Sequence, residues 1–246
     1  MKNQKISLSI IFPAYNEEKN IAASINRAQA YSNKRGIDCE IIVVNDGSRD
    51  NTVKVIKEEI SRDSRVKLLQ HKVNQGYGCT VYDGLKSAKK DIIFFMDSDL
   101  QFDINELDGF LKKIDKYDVV IGYRNPRRDH FMRLVNAWGW KYLIFIVFGI
   151  KVRDIDCAFK LFKKQALDEI SVKSRGAMFS PELIIRLVAK RKRIAQLPVS
   201  HYKRIAGSQS GAKLSVIWLA FKELYANRSE LKRELAQIDK CDRIIS

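Results

Sequence analysis

The stretch IIFFMDSDLQF, residues 92–102, runs an apolar segment directly into two aspartates one residue apart. Ile and Phe side chains followed by Met96 are typical of a strand that is buried on both faces. On an extended chain the side chains of Asp97 and Asp99 point the same way, so they could converge on one divalent cation, with Gln101 adding a further oxygen. A solvated acidic loop is the competing interpretation. Repulsion between the two carboxylates after a buried strand favours a compensating cation or helix end.

Similar apolar runs alternate with helical patterns through the first half of the chain. The predicted strands are residues 7–12, 40–45, 66–70, 92–96 and 119–122. Helical spacing of apolar residues occupies the segments between them, around residues 20–28, 52–60 and 80–88. This alternation predicts an α/β fold with a mostly parallel sheet that helices cover on both faces. Ligands of such sheets bind beyond the carboxyl ends of the strands, so the polar groups there form the candidate site.

The second half of the chain has a less regular pattern. A helix is predicted at residues 181–191, a strand at 194–202 and a further helix at 214–235. Because no repeat or linker separates the halves, we expect one domain, residues 1–224, in which the second half elaborates the open edge of the sheet. Residues 225–246 are expected to form a C-terminal helical tail.

Composition limits the classes of function. The 246 residues are 46% hydrophobic, enough for a substantial core, and their net charge of +16 favours anionic partners such as nucleic acid, phosphorylated metabolites or acidic lipid. The four cysteines are scattered without a Cys-x-x-Cys pair, which argues against structural zinc or a disulfide framework. Reduced thiols fit a cytosolic setting.

One segment has the composition of a membrane-interface helix. Residues 134–150 are apolar, but Asn136 and Lys141 interrupt them and they fall short of the roughly 20 residues that a spanning helix needs. We therefore expect no transmembrane helix, and the short apolar run at residues 6–12 does not resemble a secretory signal. Aromatic residues at 131–150, with carboxylate-free basic residues at 183–222, suit docking on an anionic membrane face. A buried core helix and a homodimer contact are the alternatives.

The first two predicted strands also end in acidic or turn-forming groups. After the first strand, PAYNEE places Pro13, Tyr15 and Glu17 in a loop before a helix. Tyr15 could stack on a base and Glu17 could lie at the helix start, although an ordinary capped turn explains the same residues. After the second strand, NDGSRD begins with Asp46, and turn chemistry is the simpler explanation there.

Seven motifs, taken in order, resemble a known family. They are FPAYNEEKNI, VVNDGSRDNT, NQGYGCTVYDGL, FFMDSDLQFD, GYRNPRR, DIDCAFKLF and HYKRIAGSQSGAK. This ordered set is similar to the inverting family 2 glycosyltransferases, which have the GT-A fold, and within them to the polyprenyl-phosphate sugar synthases. The likeness extends over most of the chain.

The resemblance implies roles for the strand-end groups. A nucleotide sugar, GDP- or UDP-linked, would lie against Pro13, Tyr15, Glu17, Asp46 and Asp97. Asp46 would accept a hydrogen bond from the base. The metal ligands implied are Asp97, Asp99 and Gln101, holding Mg²⁺ or Mn²⁺ against the diphosphate, with Asp99 essential for turnover.

The resemblance also implies an acceptor side. Asp154 would orient the acceptor, with Asp156 as a rival, although Lys160 stands where the family has arginine. An ion pair of Asp154 with Arg153 or Lys160 is the structural alternative.

Basic residues would contact the two phosphate groups. Arg124 and Arg133 are expected near the acceptor phosphate, and Arg204 and Lys213 near the nucleotide diphosphate. The glycine- and serine-rich segment at residues 207–211 would let the loop that carries Arg204 and Lys213 close.

The expected function is therefore metal-dependent, inverting transfer of a sugar to a polyprenyl phosphate, by an enzyme peripheral to the cytoplasmic membrane face. Transfer to a soluble, glycan or protein hydroxyl is the main alternative. A processive polysaccharide synthase would carry spanning helices and a Gln-x-x-Arg-Trp motif, which the sequence lacks. The sequence also lacks a nucleic-acid-binding motif and the Gly-x-Gly-x-x-Gly spacing of a dinucleotide-binding dehydrogenase.

Overall fold

The computed structural model of the chain describes residues 6–126, 131–204, 214–238 and 245, and no side chain is described for residues 131–133, 214 and 215.

Seven strands form one sheet in the order β3-β2-β1-β4-β6-β5-β7. The strands are β1 Ser7–Ala14, β2 Asp38–Asn45, β3 Val66–Gln70, β4 Ile92–Met96, β5 Val119–Arg124, β6 Phe159–Lys163 and β7 Ile194–Val199. Only β6 is antiparallel to its neighbours in this described sheet. The prediction of a mostly parallel sheet is confirmed.

Eight α-helices and one short 3-10 helix complete the described chain. They are α1 Ile21–Arg35, α2 Thr52–Arg62, α3 Tyr77–Ser87, the 3-10 helix Ile104–Glu106, α4 Leu107–Ile114, α5 Phe131–Phe148, α6 Lys164–Asp168, α7 Phe179–Ala189 and α8 Leu214–Ala236. Strands β1 and β2 are buried along almost their whole length, which requires cover on both faces of the sheet.

The core is rich in phenylalanine around the centre of the sheet. Phe94 and Phe159 pack edge-to-face with ring centroids 4.7 Å apart, and Phe95 and Phe162 stack at 6.2 Å. All four side chains are fully buried. These contacts join β4 to β6 and fix the strand that delivers Asp97 to the edge of the sheet.

Strand β6 was not among the strands predicted from sequence. Its residues FKLFK place a lysine between phenylalanine and leucine, so they read neither as a continuous apolar run nor as a clean alternation. The structure inserts β6 between β4 and β5, where the whole strand except its last residue is buried. The second half of the chain thus contributes an inner strand of the sheet as well as the edge strand β7.

Helix α8 packs onto the domain. It continues through residue 224, so the expected boundary between domain and tail falls within one helix. Leu231 and Leu235 are buried, and Arg186 on α7 forms ion pairs with Glu230 and Glu234 on α8. No helix among the described residues is long and apolar enough to cross a membrane.

Candidate active site

The loops after β1 and β4 are bonded to each other at the carboxyl edge of the sheet. Ser98 donates a hydrogen bond from Oγ to the carbonyl of Pro13 at 2.8 Å, and Ser24 on α1 donates from Oγ to the carbonyl of Ser98 at 2.9 Å. Ser98 lies between Asp97 and Asp99, so both aspartates are held beside the end of β1. The structure therefore brings the predicted metal ligands next to the predicted nucleotide loop.

Asp97 and Asp99 form an acidic pair with restrained geometry. The Tyr77 hydroxyl donates to Asp97 Oδ1 at 3.0 Å, and the Gln101 backbone N–H donates to Asp99 Oδ1 at 3.1 Å. Leu100 has a φ of +64°, a left-handed conformation that a leucine adopts only under constraint. Burial, and then the charge of Asp99, raise the pKa of Asp97 to about 7. The pair is thus costly to ionise fully without a cation.

Gln101 connects this acidic pair to the segment after β7. Its side-chain Nε2 donates to the carbonyl of Tyr202 at 2.9 Å, and the Tyr202 N–H donates to the Gln101 carbonyl at 2.9 Å. Because the amide nitrogen is occupied, Oε1 is the atom of this side chain that could bind a cation. The same contact brings Arg204 to the site.

Arg204 lies between two carboxylates. Its Nη2 bonds Glu17 Oε1, and its Nη1 lies 3.6 Å from Asp99 Oδ2. Asn20 donates from Nδ2 to the other oxygen of Glu17 at 2.7 Å. Burial raises the pKa of Glu17, although the Asn20 hydrogen bond and the Arg204 charge oppose this shift. The structure therefore joins the predicted nucleotide residues Glu17 and Arg204 to the metal ligand Asp99.

Asp46 anchors the loop that leads into α3. Its carboxylate accepts the backbone N–H groups of Gln75 at 2.8 Å and Gly76 at 2.9 Å, and His71 Nδ1 lies 2.8 Å from Oδ1. Gly47 makes this approach feasible, because a Cβ at its φ of +67° would lie 2.7 Å from the backbone of Asn74. The predicted contact of Asp46 with a base stays a prediction beside this loop-holding role.

The loops after β1 and β2 are also linked. The Asn16 N–H donates to Ser48 Oγ at 2.9 Å, and Arg49 donates its N–H to Asn16 Oδ1 at 2.8 Å. Asn16 has a φ of 55°, which asparagine tolerates better than most residues. Tyr15 is 39% exposed beside this link, so its ring has an open face, whereas Pro13 is buried. A planar ligand group could stack on Tyr15.

Asp154 is paired with Arg124. Arg124 donates from Nε to Oδ2 at 2.6 Å and from Nη2 to Oδ1 at 2.8 Å, and the exposed fractions of the two side chains are 6% and 9%. The expected partners bond other groups: Arg153 bonds the Tyr123 hydroxyl at 2.6 Å, and the Lys160 ammonium bonds the carbonyl of Cys157. A two-point arginine–carboxylate contact fixes the orientation of Asp154.

For the other predicted site residues, the structure adds little or nothing on their contacts. Asp156 is half-buried, two residues along the chain from Asp154. The side chain of Arg133, and Lys213 with the glycine- and serine-rich segment 207–211, lie outside the described residues. Their predicted roles stay predictions.

Sequence reasoning missed two contacts of the site. Tyr77 lies in the NQGYGCTVYDGL motif, but no role was predicted for it, and its hydroxyl contacts Asp97. His71 bridges Asp46 and Asp83, with Nε2 3.0 Å from Asp83 Oδ2. Neither residue has a fixed distance along the chain from its partner strand end, so spacing could not reveal the contact.

The donor set fits a hard divalent cation. In the described parts of the chain no three His, Cys, Asp or Glu side chains form a ready-made metal site. Mg²⁺ is commonly held by only one or two carboxylates, with water and substrate phosphates completing the shell. The acidic pair offers two carboxylates and the amide oxygen of Gln101. Burial and the neighbouring Asp99 raise the pKa of Asp97, and a bound cation would favour its ionised form.

Comparison with known proteins identifies the family. The model of the family described as Glycosyl transferase family 2 matches residues 9–171, more than half of the chain. The chain belongs to this family. It is therefore a glycosyltransferase, as the sequence motifs indicated.

Two curated relatives carry more specific names. A dodecaprenyl-phosphate galacturonate synthase from Rhizobium johnstonii is 26% identical over 83% of this chain and 61% of its own length. A dolichyl-phosphate beta-glucosyltransferase from Trichomonas vaginalis is 30% identical over 83% of this chain and 68% of its own length. The resemblance to polyprenyl-phosphate sugar transferases is thus confirmed, while the chain spans under two thirds of the Rhizobium protein.

A solved structure supports the architecture. Glucosyl-3-phosphoglycerate synthase from Mycobacterium tuberculosis, crystallised with Mn²⁺, UDP-glucose and phosphoglyceric acid, superposes with a TM-score of 0.69 at 18% identity. The match covers 91% of this chain and 80% of that protein. At this identity the likeness concerns the fold, and it confirms the expected GT-A architecture.

Proposed function

We propose that this glycosyltransferase moves a sugar from a nucleotide diphosphate to a polyprenyl phosphate, with inversion at the sugar carbon. The observation that carries the proposal is the convergence of Asp97, Asp99 and Arg204 at the end of the central strand β4. An acidic pair beside an arginine is suited to a metal-bound diphosphate, because the cation and the guanidinium both attract phosphate oxygens. The names of the two curated relatives supply the acceptor class.

On the donor side, each residue would have a binding or orienting role. Tyr15 would stack on the base, with Pro13 and Asp46 shaping the nucleoside pocket beside it. Asp97, Asp99 and Gln101 would hold Mg²⁺ or Mn²⁺, and the bound cation would supply positive charge to the leaving diphosphate.

Arg204 would change partners when the donor binds. In this structure Arg204 contacts Glu17 and Asp99. A diphosphate would give its guanidinium a more strongly charged partner. Lys213 is proposed to assist at the same group. Loop closure over the donor would exclude water from the reacting bond.

On the acceptor side, no protein nucleophile is needed. A lipid phosphate is already ionised at neutral pH, so its oxygen can attack the sugar carbon directly from the face opposite the leaving group. Asp154, held by Arg124, and Asp156 would orient this acceptor, with Arg124 and Arg133 near its phosphate. One displacement gives an inverted product.

The test is release of nucleoside diphosphate from a panel of GDP- and UDP-sugars with Mn²⁺, with and without a polyprenyl phosphate. We expect Asp99→Asn to lower turnover by about 1,000-fold, as removal of charge stabilisation at a reacting centre does. Asp103→Asn is the matched control, because Asp103 lies in the same segment but caps the 3-10 helix at Asn105. Full activity of the Asp99 variant, or full activity with a strong chelator, would overturn the metal assignment. Transfer to a soluble hydroxyl without any lipid would favour the alternative acceptor class.

The proposed membrane contact rests on an aromatic face shared by α5 and α8. Its exposed members are Trp138, Tyr142, Phe145 and Ile146 on α5, and Trp218, Phe221 and Tyr225 on α8. Trp140 and Phe221 pack edge-to-face at 5.8 Å, which joins the two helices into one surface. Aromatic rings of this kind settle at the headgroup level of a membrane.

Charge selects anionic lipid over a second copy of the chain as the partner of the aromatic face. Lys222 is exposed on α8, and Arg228 lies over the Tyr225 ring at 4.0 Å. Two copies of this surface would bring like charges together, whereas acidic headgroups would attract them. The contact is proposed at the cytoplasmic face.

Vesicle sedimentation tests this contact. The double variant Trp138→Ser, Trp218→Ser should lose most binding to vesicles containing phosphatidylglycerol, while Val73→Ser, at a site 67% exposed but outside the aromatic face, should bind as the wild type does. Neutral vesicles should bind weakly. Unchanged binding of the double variant, or a concentration-dependent dimer that the same substitutions dissolve, would refute lipid as the partner.

A further inference from the structure

Lys160 is buried in the centre of the sheet. It lies on the inner strand β6, opposite Phe95 of β4 and Ile121 of β5, and its side chain has no solvent exposure. Its neighbours on β6 are Phe159 and Leu161. A lysine ammonium is rarely buried to this extent, and a methionine would fill the same volume without desolvating a charge.

The hydrogen bonding of this ammonium is incomplete within the described chain. Lys160 Nζ donates to the carbonyl of Cys157, and it lies 5.3 Å from the centroid of the Phe95 ring. An ammonium has three N–H donors, and the hydrogen bond and the ring contact together engage only two of them. Burial lowers the pKa of Lys160, the direction expected for a desolvated amine.

The position of Lys160 in β6 places its charge near the candidate active site. Because β6 is antiparallel to β4, the start of β6 lies at the same edge of the sheet as the end of β4. The bond to Cys157 directs the ammonium toward that edge, where its charge interacts with Asp97, Asp154 and Asp156. It therefore lies between the donor and acceptor sides of the site.

We propose that Lys160 is a positioning residue for sugar transfer: from beneath the site it holds the 154–157 turn, and with it Asp154 and Asp156, in place relative to the metal-binding pair. The bond to the Cys157 carbonyl fixes the end of the turn, while Arg124 fixes its beginning through Asp154. The role of the turn in sugar transfer rests on the proposed function. The contact by which Lys160 fixes the turn does not depend on that function.

Lys160→Met is the primary test. We expect the variant to fold and to melt near the wild-type temperature, because the desolvation cost of the buried charge is removed together with its favourable interactions. Its kcat should fall at least tenfold, while the KM for the nucleotide sugar stays within twofold. Lys160→Arg should recover part of kcat, since it keeps the charge and the donors.

Lys163→Met is the matched control. Lys163 ends the same strand, but its ammonium is 32% exposed and faces Asp118 at 3.6 Å, away from the turn. It should keep wild-type kcat.

Hydrogen exchange separates this inference from the proposed function. Amides of residues 154–158 should exchange at least fivefold faster in Lys160→Met and at the wild-type rate in Lys163→Met, whatever reaction the enzyme performs. Unchanged exchange in Lys160→Met overturns the proposal, as does a general loss of melting temperature with every kinetic constant impaired. A wild-type enzyme that transfers no sugar to a polyprenyl phosphate, but shows the predicted exchange pattern, would refute the function and keep the positioning role.

Discussion

Asp97 and Asp154 lie at the same edge of the sheet, yet their surroundings differ. Asp97 has a tyrosine hydroxyl and a second carboxylate as neighbours, and its pKa is raised to about 7. Asp154 has a two-point contact with Arg124. A bound cation would therefore favour the ionised form of Asp97, whereas Asp154 is already paired and fixed in orientation. This difference fits the proposed function, in which Asp97 would bind the cation and Asp154 would orient the acceptor.

The largest expected effect is at Asp154. Arg124→Met removes the two-point contact of this buried carboxylate and should lower the free energy of unfolding by about 3 kcal/mol, measured by urea denaturation. The double variant Arg124→Met, Asp154→Leu should recover most of this loss, because the buried carboxylate is removed together with the guanidinium. Equal stability of the single variant and the wild type would show that the pair is not the constraint described above.

A smaller effect, with opposite signs in two assays, is expected at Arg204. Its guanidinium lies 3.6 Å from Asp99, so it repels a cation there, but it would attract a diphosphate. Arg204→Gln should therefore bind Mn²⁺ alone several-fold more tightly, and nucleoside diphosphate about 30-fold more weakly, since a hydrogen bond to a charged group contributes about 2 kcal/mol. Calorimetric titration measures both.

Lys203→Gln makes the same charge change one residue earlier, at an exposed position. It should leave both affinities near the wild-type values. A weakening of Mn²⁺ binding in Arg204→Gln would contradict the repulsion argument.

Counted for a single pH unit, the smallest expected effect is a pH dependence of the donor side. The pKa of Asp97 is raised above its ordinary value near 4, so the folded protein binds more protons than the unfolded chain between about pH 4 and about 7. This group therefore stabilises the metal-free fold at acidic pH, and that contribution is lost as pH rises toward 7. Mn²⁺ competes with the proton, so its affinity should fall by up to about tenfold per unit as pH drops below 7.

Thermal melts and Mn²⁺ titrations from pH 5 to 8 measure these trends. In Asp97→Asn this part of the pH dependence should disappear. Affinity for Mn²⁺ that is flat across the range in the wild type would show that Asp97 does not bind the cation.

The two sides also differ in how far the sequence revealed them. The donor side follows strands with unbroken apolar runs, so hydrophobic patterning alone places Glu17, Asp46 and Asp97 just beyond strand ends. The acceptor side depends on β6, a buried strand whose residues FKLFK form neither a continuous apolar run nor a clean alternation. The partner of Asp154 was therefore expected among Arg153 and Lys160, its neighbours along the chain, and not at Arg124, 30 residues away.

The sequence by itself determined the α/β alternation, the family and the strand-end carboxylates, because hydrophobic periodicity and motif order are local properties of the chain. Only the tertiary structure decided the antiparallel insertion of β6, the contact of Arg204 with Asp99, and the burial of Lys160 beneath the site. Those features depend on which side chains share a region of low dielectric constant, where charges act strongly on each other across long stretches of sequence.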